Sequence, residues 1–516
     1  MKLRDFDIDK LPSDPETLKG VIVDMKQQMD YLLEQLNLAK AKKFAASSEK
    51  SPAQIDMLFN EVEVEANEAE GDAEAKAEAD SGNTSSETQD SAGTPKPGRK
   101  PLPTTLPRKE VVYDLSDAEK ICPCCNGQLH KIGEERSEQL QFIPASIEVR
   151  VNVRPKYACR QCEQQGTGGT ITTAALPANP IPKSIATPSL LAYVIAAKYQ
   201  FALPLYRQEA VFKQHGIELS RQTLANWMLQ SFDYLEPVLK RLKHHLFDQK
   251  VIHGDETTCR VLEEDKHHCY MWIYCSGADS PDVGDRKNIV LYDYQASRSG
   301  ACAKQFLSGY SGYLQVDGYA GYEQLPGVKL VGCWAHARRK FIEAQQAQPQ
   351  GKTGKADWAV SLIQKLYRLE TQLKSQSTSV VYQARREKAK PLLEQFKTWL
   401  DSTALTTLPN SAIGKAVQYC LNQWHKLERY LDDGDLAIDN NRAERAAKSF
   451  VIGRKNWLFS KTPKGATASA GLYSLVETAK VNGLDPAKYL ERLFNELHRC
   501  KTDADVDNLM PWVIAR

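Results

Sequence analysis

The sequence predicts a multidomain chain: an N-terminal coiled coil, a zinc ribbon, a helical helix-turn-helix-like domain, and an α/β core with an all-helical insertion. Three observations predict it. An apolar 4-3 repeat runs from Leu18 to Ala39. Two Cys-x2-Cys pairs stand at Cys122/Cys125 and Cys159/Cys162. From Lys250 onward short apolar runs follow one another, two of them meeting an aspartate. The boundaries read from these patterns are 1–60 (coiled coil), 61–108 (acidic and Pro-rich linker), 109–183 (zinc ribbon) and 184–247 (helical, DNA-contacting). The core follows as 248–344 and 437–483, split by the insertion 345–436, and 484–516 is a helical tail.

A chain of 516 residues is long enough for about three domains. Its 42% hydrophobic and 26% charged content is that of soluble globular protein. The formal charge of +2 hides an asymmetry: residues 51–94 hold 12 Asp/Glu against one Lys, so the remainder carries +13, which favours a polyanionic partner. No apolar run is long enough to span a bilayer. The opening residues Met-Lys-Leu-Arg-Asp-Phe-Asp lack a signal-peptide core, so a cytoplasmic location is expected.

Leu18, Ile22, Met25, Met29, Leu32, Leu36 and Ala39 alternate steps of four and three, the seam of a self-associating helix. A homodimer or larger assembly is expected. The Glu/Ala-rich and then Ser/Thr/Gly-rich stretch after it has nothing to form a core. Each Cys-x2-Cys turn points two sulfurs at one place, so Cys122, Cys125, Cys159 and Cys162 suit a closed structural zinc site, with Cys124 an alternative to Cys122 or Cys125. Between the pairs, Ile147, Val149, Val151 and Val153 alternate as in hairpin strands. Pro188 opens an apolar helix and another follows Pro204. A helix ending near Gly216, a turn, and a helix N-capped by Ser220 form a helix-turn-helix pattern. Arg221, Gln222 and Asn226 would lie exposed on the second helix, where base-contacting side chains sit. An ordinary helical hairpin has the same pattern.

The core begins with strands at 250–257, 267–275 and 288–294, then a short helix at 301–307. A strand at 312–317 and another at 328–332 lead into a helix from Cys333. This is the order of a ribonuclease H-like domain, with Asp255 and Asp317 side by side on adjacent central strands. Two carboxylates that close repel unless a divalent cation lies between them, and hard oxygen ligands select magnesium or manganese. Either aspartate, flanked by glycine, could instead be a turn residue. The insertion should hold three helices, marked by Trp358–Leu369, Leu392–Leu400 and Val417–Leu431. In the helix predicted over 437–457, Ala443, Ala446, Ala447, Phe450 and Val451 make the apolar face, and Glu444 lies elsewhere among Arg442, Arg445 and Lys448. Glu444 there suits a metal ligand beside phosphate, though Asn441 and Glu444 also fit a capping box. Arg454, Lys455 and Trp457 follow, basic and aromatic residues suited to a strand end.

Ser47-Ser-Glu-Lys50, Gly98-Arg-Lys-Pro-Leu-Pro103, the paired Cys-x2-Cys and Pro204-Leu-Tyr-Arg-Gln-Glu209 mark a wider resemblance. So do Leu219-Ser-Arg-Gln-Thr-Leu-Ala225, His253-Gly-Asp-Glu-Thr257, Gln315-Val-Asp-Gly-Tyr319, Cys333-Trp-Ala-His-Ala-Arg-Arg-Lys-Phe341, Asn440-Asn-Arg-Ala-Glu-Arg445 and Gly453-Arg-Lys-Asn456. Together they resemble the large transposase of bacterial insertion sequences of the insertion-sequence-66 family. The resemblance implies a DDE-type transposase that binds terminal inverted repeats and cleaves and joins DNA with two Mg2+ or Mn2+ ions. It implies Asp255, Asp317 and Glu444 as catalytic and metal-binding residues, and small accessory proteins as partners. One ion would be shared by Asp255 and Asp317, the other by Asp255 and Glu444. Arg442, Arg445, Lys448, His336, Arg338 and Arg339 would meet DNA phosphates. Such a protein would be bacterial and associated with the nucleoid when bound to DNA. A DNA-binding regulator with a zinc site and a silent core would share most of these features, but not an intact trio of acids.

Overall fold

The computed structural model describes residues 14–44, 147–158, 171–176, 178–266, 268–277, 286–347 and 354–515. They fall into two units, one within 60–174 and the other comprising the N-terminal helix and the residues from 175 on.

Helix α1 spans Pro15–Phe44, with the Asp14 carboxylate accepting the Thr17 N–H at 2.9 Å. Its apolar stripe faces outward: Ile22 and Met29 are 58% and 60% exposed. In the other unit, β1 (Lys156–Ala158) pairs antiparallel with β2 (Ile171–Thr173). The alternating residues from Ile147 to Val153, expected as strand, form no ladder, and Val149 is 90% exposed. Alternation supplies a face, but a strand also needs a neighbouring backbone, and none lies there among the described residues.

Helices α2 (Pro188–Tyr199) and α3 (Leu205–Gln214) precede α4 (Arg221–Phe247). Gly216 takes φ +75° in the turn, and the Ser220 hydroxyl accepts the Thr223 N–H at 3.1 Å, the expected cap. α4 runs far beyond a recognition helix: Leu235, Val238, Leu242 and Leu246 on it are buried in one core with the sheet.

The sheet comprises β3 (Val251–Cys259), β4 (Cys269–Ser276), β5 (Ile289–Gln295), then, after α5 (Gly300–Phe306), β6 (Gly312–Gln315) and β7 (Val328–Val331). Spatial order is β5-β4-β3-β6-β7, the first three antiparallel and β3-β6-β7 parallel. Helix α6 (Trp334–Gln346) leads into the insertion: α7 (Lys355–Leu373), α8 (Thr378–Ala384), α9 (Lys390–Leu405) and α10 (Ala412–Leu427). α8 is an addition to the three helices expected. It continues through a π-helical turn, Arg385–Ala389, into α9. That turn aims buried Arg385 at the Glu370 carboxylate (2.7 and 2.9 Å) and at the Tyr430 and Asp433 carbonyls. The insertion buries Leu362, Leu366, Phe396 and Val417 with Trp334 and Phe341 of α6, a second core beside the sheet.

The chain then returns as α11 (Asn441–Trp457), followed by α12 (Pro463–Val481), α13 (Pro486–Glu496), α14 (Asp503–Asp507) and α15 (Pro511–Ile514). α12 lies along the edge strand β5 and satisfies its free backbone. Ser474 Oγ accepts the Tyr292 N–H at 2.8 Å, and Thr478 Oγ1 both accepts the Val290 N–H and donates to its carbonyl. An open edge is thereby covered. Trp457 is half-buried and packs against Tyr199 and Tyr473. A Cβ on Gly453 would fall 2.1 Å from both the Trp457 ring and the Tyr473 hydroxyl. Gly453→Ala should therefore destabilise the protein by up to about 2 kcal/mol, because an overpacking cost of about 1–3 kcal/mol outweighs the ~1 kcal/mol gain in helix propensity. A lower denaturant midpoint at unchanged slope is the expected reading.

Candidate active site

Side chains alternate along β3, and this decides what meets what. His253 and Asp255 point toward α11, while Gly254 and Glu256 point toward Tyr322 and Arg298. β6 pairs in parallel with His253 opposite Gln315, so two residues further on Asp255 stands beside Asp317. The Asp317 carboxylate accepts the Tyr319 N–H at 2.8 Å, which turns the chain away after the strand. Gly318 follows with no room for a side chain, since its Cβ would lie 2.9 Å from the Tyr419 ring.

Glu444 reaches this corner because Asn440 fastens the start of α11. Asn440 is buried; its Nδ2 donates to the Gly254 carbonyl (2.8 Å), its Oδ1 faces His253 Nδ1 (3.2 Å), and its N–H donates to Cys333 Sγ (3.2 Å). Buried Ala443, Ala446 and Ala447 let the helix lie close on the strands. The capping box does not form: Asn441 bonds Asp439 through its N–H and Nδ2. Glu444 is 7% exposed, and its Oε1 finds no hydrogen-bond partner among the described residues. Its Oε1 lies 3.5 Å from His336 Nδ1, itself buried without a hydrogen bond, and Arg339 is 3.9 Å from its Oε2.

The electrostatics are those of acids crowded together. Burial, then the charges of Glu256, Asp317 and Glu444, push the Asp255 carboxyl well above the usual carboxylate range. Burial and then Asp317 also raise Glu256, against the pull of the Tyr322 hydroxyl (2.8 Å) and the Arg298 guanidinium (2.5 and 2.8 Å). Burial holds the His336 imidazole below its ordinary range, against the pull of Glu444. An orphaned buried carboxylate oxygen beside two further carboxylates is what a divalent cation would satisfy, and the oxygen-rich donor set suits magnesium or manganese.

Of the other residues singled out in the sequence, Arg221, Gln222 and Asn226 are exposed at the start of α4, Gln222 bonded to Asn226 at 3.2 Å. His336 and Arg339 face Glu444, and Arg338 is half-buried on the same helix. Arg442 donates to the Ser276 carbonyl at 3.4 Å. Arg445 is exposed and Lys448 half-buried on α11. Arg454 reaches back to Thr258 of β3 (3.0 Å), and Lys455 is exposed. Cys122, Cys125, Cys159 and Cys162 lie outside the described residues. Sequence reasoning gave no role to Glu256, Asn440 or Asp439. Period-two alternation marks Glu256 as inward-facing, but its partners Arg298 and Tyr322 are distant in the chain.

Fold and site thus define a mixed α/β protein in which two central strands and one helix bring Asp255, Asp317 and Glu444 into electrostatic reach of one another, while the group with ligand atoms within 4.8 Å among the described residues is Cys333, His336 and Glu444. A family profile described as "Transposase IS66 family" matches residues 183–468. Others match 119–163 ("zinc-finger binding domain of transposase IS66"), 31–111 ("Transposase C of IS166 homeodomain") and 474–512 ("IS66 C-terminal element"). Among curated proteins of Sinorhizobium fredii, the uncharacterized protein y4jD is 31% identical over 98% of this chain and 97% of its own length. The uncharacterized proteins y4hP (32%, covering 77% and 73%) and y4qI (31%, covering 83% and 80%) are also similar. The chain belongs to the IS66 family of transposases, DNA-binding enzymes of DNA transposition with a zinc-finger domain and its structural zinc. No described helix is long and apolar enough to cross a membrane.

A raised Asp255 pKa means that the folded protein holds this proton more tightly than the unfolded chain does. Its contribution to stability is present below the unfolded value of about 4 and is lost as pH rises through the folded value. Without added magnesium or manganese, Asp255→Asn should melt higher than wild type at neutral pH, and the gap should close near pH 4. Added manganese should raise the wild-type melting temperature more than that of the variant.

Proposed function

We propose that the chain is a DDE-type transposase that binds the terminal inverted repeats of its insertion sequence, cleaves DNA at the element ends and joins them to target DNA. Asp255, Asp317 and Glu444 are the catalytic trio and hold two Mg2+ or Mn2+ ions. The observation that carries this is the buried Glu444 oxygen without a hydrogen-bond partner among the described residues, near an Asp255 whose pKa is raised by burial first and then by the charges of Glu256, Asp317 and Glu444. The sheet order β5-β4-β3-β6-β7, with three antiparallel strands followed by parallel additions, is that expected of a ribonuclease H-like core.

The ions, when bound, supply Lewis acidity that activates an attacking hydroxyl and neutralises the leaving 3′-oxygen. The chain's own residues do the positioning. Asn440 and the β3–β6 register fix the acids relative to one another. Arg339 lies 3.9 Å from Glu444, and Arg442, Arg445 and Lys448 on the same helix as Glu444 add the positive charge a phosphate backbone needs. Arg338, Arg454 and Lys455 extend that charge, and Arg221, Gln222 and Asn226 are available to base edges. Cys122, Cys125, Cys159 and Cys162 hold the structural zinc. The outward apolar stripe of α1 supports pairing of chains as a coiled coil, which would bring two cores to two element ends. Small accessory proteins of the same element are further partners, and the site of action is the bacterial cytoplasm at the nucleoid.

Cleavage of labelled DNA carrying the element's own ends tests the reading. Asp317→Asn and Glu444→Gln should each lower cleavage by roughly a hundredfold or more while end-binding in a mobility-shift assay stays near wild type. Cleavage by Glu444→Gln at the wild-type rate would remove it from the trio. Products cut but never joined would make the protein a nuclease. Zinc analysis should give one ion per chain in the wild type and a loss in Cys159→Ser.

A further inference from the structure

His336 sits at the third position of α6, one turn from its N-cap Cys333, and therefore on the same side of the helix. Its Nδ1 and the Oε1 of Glu444 face each other at 3.5 Å. Both atoms are buried and neither has a hydrogen-bond partner among the described residues. The separation is too long for a good hydrogen bond between them. It is close to that of two donors on one ion: metal bonds of about 2.1 Å at octahedral or tetrahedral angles place donors roughly 3.0–3.4 Å apart. Two orphaned atoms of opposite lineage, one nitrogen and one oxygen, are thus set at the spacing of a shared cation.

The surroundings limit the donor set. Glu444 Oε2 turns toward Arg339 at 3.9 Å, which leaves Oε1 to ligate. Cys333 Sγ lies within 4.8 Å of both donors and accepts the Asn440 N–H at 3.2 Å, but a soft sulfur is the poorest match of the three to a hard divalent ion. We propose that His336 Nδ1 and Glu444 Oε1 ligate the same divalent ion, making the Glu444 side of the site a mixed nitrogen–oxygen site that favours Mn2+ over Mg2+. This rests on the reading of Asp255, Asp317 and Glu444 as metal ligands. It replaces phosphate contact as the role of His336. Imidazole is a good donor to first-row transition ions, whereas Mg2+ keeps to carboxylate, carbonyl and water oxygen. The inference therefore concerns metal choice, and it predicts a protein more discriminating between the two ions than three carboxylates alone would make it.

Electron spin-echo modulation of Mn2+ bound to the zinc-replete full-length protein reads the nitrogen directly. Natural-abundance protein should show 14N modulation, and protein grown with 15N-histidine should show 15N modulation in its place, with no variant required. In His336→Gln the modulation should vanish while Mn2+ still binds, with affinity reduced roughly tenfold or more and Mg2+ affinity little changed. Bound Mn2+ without nitrogen modulation, or modulation that survives in His336→Gln, would overturn the inference and leave the trio intact. Mn2+ binding indifferent to the double variant Asp255→Asn/Glu444→Gln would instead overturn the trio, and the inference with it.

Discussion

The corner of carboxylates depends on Asn440. This one buried side chain ties the start of α11 to the backbone of β3 at Gly254, one residue before Asp255, and meets His253 on the same strand. The backbone N–H of the same residue donates to Cys333 at the head of α6. Strand, helix and returning chain thus converge on one residue whose side chain and backbone are both engaged. Leaving one such buried group unsatisfied costs about 1–3 kcal/mol, so the three bonds hold or fail together. The amide suits this post because it donates and accepts at once without adding charge beside acids that already repel. An aspartate there would accept but could not donate to Gly254.

Crowded acids are a cost that the rest of the fold has to carry. The charges of Glu256, Asp317 and Glu444 all act on buried Asp255, that of Glu256 from the opposite side of β3. Glu256 is separately neutralised by Arg298, whose guanidinium also lies 4.0 Å over the Tyr319 ring. The two faces of β3 therefore treat their acids differently. On one, an arginine and a tyrosine hydroxyl complete the carboxylate; on the other, Asp255 and Asp317 each accept a backbone N–H, and Glu444 Oε1 has no hydrogen-bond partner among the described residues. A buried acid is ordinarily paired, so the one unsatisfied oxygen, Glu444 Oε1, is the atom on this face that a ligand would complete.

Much of the fold was legible because its elements obey local rules. The strands of the core, the Ser220 cap and the apolar face of α11 followed from periodicity and capping chemistry, and the alternation that sets Asp255 toward α11 follows from period two. What was not legible depended on partners distant in the chain. The run from Ile147 to Val153 has strand alternation but no ladder. The π-helical turn at Arg385 exists because Glu370 and two carbonyls of the 430–433 turn await that guanidinium. The contacts of half-buried Trp457 with Tyr199 and Tyr473, one of them more than 250 residues away in the chain, were likewise not legible. The approach of His336 to Glu444, 108 residues further along the chain, could not be read from the sequence.

The insertion between Asp317 and Glu444 is also explained by the corner it flanks. Its helices share a core with α6, and its exit is stitched to the sheet by backbone. Gly332 N–H donates to the Lys426 carbonyl (2.9 Å) and Trp334 N–H to the Ile438 carbonyl (3.1 Å), while the Trp334 indole donates to Leu427 (2.9 Å). Gln315, two residues before Asp317, donates to the Ala437 carbonyl at 2.7 Å. A long excursion would ordinarily leave the position of its return loosely defined, because closing a long loop supplies no geometry of its own. Here the excursion folds against the strand ends it left, so residues 437–440 re-enter at a fixed height beside β3. The insertion thus acts as a rigid spacer that sets where Glu444 stands, whatever else its outer surface touches.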